Sequence, residues 1–290
     1  MLAEWFQRLG FKNTALFFAF IGFVYALVGI GLATIVFSSS IGLVAVFFVS
    51  LALMASMGKL LNIAELLEGR KEEIRRKNVY LEEVQVSGKS LSVWDLLEDY
   101  KDLFQAYAFS FFGIFFAFAL VTIFLPSGME SQFFGNQLGL LGGAVGGAID
   151  VGNYLGIVSH NLLIMGIVFA ISLIFEFGTT FVVAWNASVW GAVFAFRAKQ
   201  AALLSQSSPL LAFASLMAIV ILHTALEASA YFSGAIAGGI LNRGFLRERW
   251  FGDRFNQIAL HALLILVVGI AFVLVAGAVE VFWAWPLLPF

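Results

Sequence analysis

Long uncharged stretches broken by short polar ones set the pattern of this chain. Thr14 to Phe37 is apolar without a charge and follows Asn13 or Thr14 as a helix cap, so it is long enough to cross a bilayer core of about 30 Å. It exceeds the apolar core of a secretory signal, which runs about 7–15 residues, and lacks a small-x-small cleavage site, so it reads as a retained helix. After the Ser38-Ser39-Ser40 turn, Ile41 to Met57 reads as a second span, continuing as an amphipathic helix through Leu60, Leu61, Ile63, Leu66 and Leu67. A third helix is expected over Val93–Leu125, opened by Ser92 and Asp95 as a capping pair and closed before Pro126. Asn161 to Val183 is expected to be the fourth span, and about Gln257 to Val281 the last, followed by Trp283 and Trp285 as interfacial anchors.

The region between those two admits two solutions. Trp185 to Phe196 is too short to span alone, and Pro209 to Leu241 is too long for one ordinary span. Either one helix rises from Trp185 and another descends from Pro209, or both segments contribute re-entrant half-helices. The second solution requires protein or a water-filled cavity to cover their ends. The first is favoured, for an all-α polytopic membrane protein of about six transmembrane helices forming a single membrane domain over 1–290.

Composition strengthens this reading. Hydrophobic residues make up 61% of the 290 and charged residues only 12%, against about 25% charged in soluble chains. The mean hydropathy is +0.97. A formal charge of −2 leaves no basic face for nucleic acid. The absence of cysteine excludes disulfides, thiolate metal sites and cysteine nucleophiles. The 33 phenylalanines read most simply as lipid-facing and packing surface.

Charge placement supplies a topology. Half of the lysines and arginines fall between Lys59 and Lys101, with ten acids between Lys59 and Asp102, so residues 59–104 form a solvated insertion between spans 2 and 3. Within it Val79, Leu81, Val84 and Val86 carry a weak strand pattern. Residues 126–160 hold no lysine or arginine and form a Gly-rich external segment. The positive-inside rule then puts Arg8, Lys12, the insertion and the Arg243, Arg247, Arg249, Arg254 group in the cytosol, and the C-terminus outside the cell membrane. The insertion offers a surface for a cytosolic partner, and a homo-oligomer stays open.

Two glycine stripes and a few intramembrane polar groups are the candidate functional features. Gly135, Gly139, Gly143 and Gly147 recur every four residues, as on a helix face that another helix approaches or in a flexible loop. His223, Glu227, Ala230, Gly234 and Gly238 share one helical face, with imidazole and carboxylate one turn apart. Glu176 poses a second intramembrane acid, and Glu176, Glu227, His223, Asn161 and Asn186 are candidates to converge on one buried polar or ion site. The His223–Glu227 pair suits a helix-to-helix lock, a proton or ion pathway, or two of the ligands of a zinc ion whose third would come from His160, His261 or Glu176. The sequence leaves metal and cofactor unassigned, and no nucleophile elbow, phosphate loop or dinucleotide fingerprint has its required context.

The run His160-Asn161, Phe177-Gly178-Thr179, Trp185-Asn186-Ala187 and Gly191, followed by Leu222-His223-Thr224-Ala225-Leu226-Glu227 and then Gly234, Ala237 and Gly238, resembles the stage II sporulation protein M family in its archaeal-type members. His223, Glu227, Asn161 and Asn186 stand at the family's positions, while Leu222, Thr224 and Ala187 replace its Pro, Gly and Gly. The similarity covers about 126–241. It implies a non-enzymatic membrane component, a scaffold in a membrane-remodelling or envelope complex, without fixing a substrate. A channel or transporter for a small solute or ion through the buried polar site is the alternative.

Overall fold

The computed structural model describes residues 14–57, 101–146 and 154–284. The chain is an all-α multi-pass membrane protein, with six helices long and apolar enough to cross a bilayer. No strand occurs among the described residues. The helices are α1 (Thr14–Val36), α2 (Ile41–Met57), α3 (Lys101–Phe124), α4 (Glu130–Gly146), α5 (Tyr154–Ile174), α6 (Glu176–Ser205), α7 (Pro209–Arg247) and α8 (Asp253–Val279). A π-helical turn, Glu280–Ala284, ends the described chain. All are long membrane candidates except α2 and α4. The expected strand at Val79–Val86, the Ser92 cap and all but the last residues of the 59–104 insertion lie outside the described residues, as does Trp285.

Two packed groups make up the core. In the first, α1 crosses α3 where two glycines face each other's backbone: a Cβ on Gly113 would stand 2.1 Å from the Ala19 carbonyl oxygen, and one on Gly22 would stand 2.6 Å from that of Ser110. Only hydrogen side chains permit that approach, and in lipid it is van der Waals packing rather than water exclusion that holds the crossing. Phe111 of α3 then meets Trp190 of α6 and Phe232 of α7 edge to face, with ring centroids 5.3 and 5.5 Å apart. Phe18, Phe111, Phe115, Phe118, Phe134 and Phe232 are fully buried. Part of the phenylalanine excess therefore fills the interior, where flat rings occupy volume without leaving polar atoms to satisfy, and a comparable number face outward.

The second group is α5, α7 and α8, with Met165, Val168, Tyr231 and Val273 in its centre. It differs from the sequence reading at the fourth span. The helix expected over Asn161–Val183 breaks at Phe175, whose extended backbone (φ −133°, ψ 119°) turns α5 back into α6. Neither proline nor glycine marks the turn itself. The enabling residue is Gly178, three positions on, which sits against Ile171 across the hairpin and donates its N–H to the Phe175 carbonyl at 2.9 Å.

Starting at Glu176 rather than Trp185 gives α6 30 residues, enough to span, and α7 runs unbroken for 39. Neither segment is a half-helix. Ser208 caps α7 by accepting from the Leu211 N–H, with Pro209 at the first helical position. Residues 126–160 hold α4, kinked at Phe134 (φ −122°, ψ 26°).

Candidate functional site

Parallel packing of α5 on α7, on either side of the returning α6, sets the register from which the polar site is built. Gly234 faces the Met165 carbonyl and Gly238 that of Phe169, at 2.8 and 2.5 Å from where a Cβ would stand. One step further along the same seam, Asn242 donates its side-chain amide to the Leu173 carbonyl, near the end of α5. At the other end of the seam the same register brings Asn161 to Glu227 and Tyr231.

Asn161 is buried and uses both ends of its amide. Its Nδ2 donates to Glu227 Oε1 at 2.9 Å, and its Oδ1 accepts from the Tyr231 hydroxyl. The π-helical turn after α8 carries the Glu280 carboxyl beside that of Glu227 on α7. Glu227 and Glu280 are both half-buried. Three helices thus meet where hydrogen bonds run from Tyr231 to Asn161 to Glu227, with Glu280 next to the last. Tyr154, two turns before Asn161, adds a bond from its hydroxyl to the Leu274 carbonyl of α8 at 3.1 Å.

Of the five residues singled out from sequence, two meet in this site. His223 lies on the same helix face as Glu227, but the Glu227 carboxyl turns to Asn161 and Glu280 on other helices, and His223, 8% exposed, keeps a buried Nδ1 without a hydrogen-bond partner. Asn186 bonds the Val182 carbonyl of its own helix at 2.9 Å. Glu176 opens α6, beyond the far end of α5 from Asn161, so its backbone is removed by about 20 Å of helix; its side chain lies outside the described residues. The expected convergence of Glu176 with Asn161 fails on distance, because the two stand toward opposite ends of α5.

Tyr231 and Glu280 were not among the candidates. Tyr231 follows Glu227 by four residues, a helical neighbour that the spacing exposes. Glu280 is the sole acid in the last apolar stretch, a signal readable as either a span end or a site. Among the described residues no group of three or more His, Asp or Glu side chains is placed to hold a metal ion.

The glycine stripe of residues 135–147 behaves differently from that of α7. Gly135 and Gly139 have nothing within 4 Å of where a Cβ would stand, while Phe134 and Gln137 on the other side of α4 are fully buried. Packing around Gly143 and Gly147 lies outside the described residues.

A second polar cluster joins α6 to the α3–α4 turn. Lys199 donates to Glu130 and to the Leu125 carbonyl at 2.6 Å, and Glu130 in turn accepts from the Gly128 N–H at 2.7 Å. Burial alone raises the Glu130 pKa, but the Lys199 hydrogen bond, the two backbone amides and the lysine charge together hold it below the usual 4.5. The cation also sits at the C-terminal end of α3, where it satisfies carbonyls that the helix leaves unpaired.

No protein-family model, curated protein or solved structure matches the chain.

Proposed function

We propose that the chain is a non-enzymatic scaffold of a membrane-remodelling or envelope complex, like the stage II sporulation protein M family that its sequence resembles. It lies in the cell membrane, and residues 59–104 present the partner surface to the cytosol. The observation that carries this reading is the α5–α7 seam, closed by backbone contact at Gly234 and Gly238 and tied at its two ends by Asn161–Glu227 and Asn242–Leu173. A seam so joined transmits force as one body and has no slack for the rocking that alternating access requires.

The Glu227–Glu280 pair favours a second reading, passage of a proton or small cation. Acids on membrane helices are costly on insertion scales, and such groups commonly mark ion pathways. Complementation of a deletion strain separates the two. In Glu227→Gln the amide oxygen still accepts from Asn161 and an amide N–H faces the Glu280 carboxyl, so the scaffold keeps its shape and its activity. An amide cannot exchange a proton or hold a cation as a carboxylate does, so transport is lost. Rescue by Glu227→Gln with failure of Gly238→Leu supports the scaffold, whereas a folded but inactive Glu227→Gln protein overturns it.

A further inference from the structure

The geometry points to the α7–α8 turn as an anchor that binds anionic phospholipid headgroups. Residues 248–252 join two membrane helices and so lie at the level where hydrocarbon gives way to headgroups. The tip is aromatic and outward-facing: Trp250 is 64% and Phe251 81% exposed. Phe251 is held there by a left-handed backbone (φ 60°), a conformation rare for a bulky residue. Behind the tip, Phe245 lies 5.6 Å from Trp250 and 5.1 Å from Phe255, and Phe251 lies 6.1 Å from Phe255, so the four rings form one cluster. The Trp250 indole N–H is already used, donating to the Phe245 carbonyl at 3.2 Å. Its ring therefore presents apolar surface with no donor left to satisfy, as suits the acyl boundary.

Charge decides which headgroup. Between residues 243 and 254 the chain carries four arginines against Glu248 and Asp253. Arg249, next to Trp250, is exposed. Guanidinium groups pair bidentately with phosphate, and basic segments beside a span are drawn to anionic leaflets. Aromatic rings at the boundary and arginine at the phosphate level are the two halves of an interfacial anchor. This inference needs only the multi-pass fold and holds whether the protein is a scaffold or a transporter.

Native mass spectrometry of the full chain from micelles holding equal phosphatidylglycerol and phosphatidylcholine tests it. The unmodified protein retains phosphatidylglycerol preferentially, and Arg249→Gln lowers that preference about fivefold. Trp250→Ala combined with Phe251→Ala lowers retention of both lipids, and Arg197→Gln on α6 serves as the control that leaves the ratio alone. Raising ammonium acetate from about 0.05 to 0.5 M weakens the preference of the unmodified protein, because exposed charges are screened. Equal retention of the two lipids, a salt-independent preference, an unchanged ratio in Arg249→Gln, or an equal loss in Arg197→Gln overturns the assignment.

Discussion

Asn161 and Glu227, sixty-six residues apart in sequence, are held 2.9 Å apart by a hydrogen bond from the asparagine amide to the carboxyl oxygen. Asn161→Leu removes that donor and also the acceptor of Tyr231, leaving the buried tyrosine hydroxyl without its partner and the half-buried Glu227 without its amide donor. The expected loss is about 1–3 kcal/mol per orphaned group. Asn186→Leu removes only a bond within α6 and should stay within about 0.5 kcal/mol of the parent, as for changes away from such networks. Thermal melts in detergent compare the two, and equal melting would remove Asn161 from the centre of the site.

Gly238→Leu and Gly234→Leu each place carbon against a carbonyl of α5 that cannot yield without parting the helices. Overpacking of this kind costs about 1–3 kcal/mol. Gly139→Ala on α4 meets open space and should melt with the parent. If Gly238→Leu also melts with the parent, α5 and α7 are not in backbone contact.

The Glu130–Lys199 pair gives stability a pH dependence of known sign. The folded pKa of Glu130 lies below its unfolded value of 4.5, so its contribution is complete above about pH 4.5 and fades as the pH falls through the lowered folded value. The melting temperature of the parent should drop in that window by more than that of Glu130→Gln. At neutral pH the variant should already be destabilised by about 3 kcal/mol, the lower end for breaking a buried ion pair. Parallel pH profiles for the two proteins would remove the pair from the account of acid stability.

Topology is testable in a chain that contains no cysteine. Lys89→Cys should resist a membrane-impermeant maleimide in intact cells and react after lysis, whereas Gly135→Cys should react in both. The reverse pattern inverts the whole orientation.

Much of the fold was legible because bilayer-crossing helices need long uncharged runs, and α1, α2 and α8 stand in the sequence as such runs. The α5–α6 turn was not legible, because Phe175 breaks the helix without proline or glycine and the apolar run continues through it. Half of the polar site was visible for a similar reason. Asn161 and Glu227 announce themselves as polar groups within apolar helices. Their pairing depends on a register that Gly234 and Gly238 set only once α5 lies against them, and Glu280 reaches the site only through a π-helical turn. The His223–Glu227 spacing suggested an intrahelical pair, yet partners on neighbouring helices prevailed.

The length of α7 carries a consequence for the bilayer itself. Its 39 residues measure about 58 Å along the axis, nearly twice the hydrocarbon thickness. Membrane helices incline by up to about 40°, and at that limit α7 still projects about 45 Å, the full depth from headgroup to headgroup. Upright, it would overshoot by roughly 15 Å and lift Ser208 or Trp250 into water. α5, bound alongside along the glycine seam, has only 21 residues and measures about 31 Å, a length that fills the hydrocarbon core when upright and falls to roughly 24 Å at the same inclination. Every degree of tilt that sinks α7 into the bilayer therefore shortens the reach of α5, and lipid beside α5 thins in proportion.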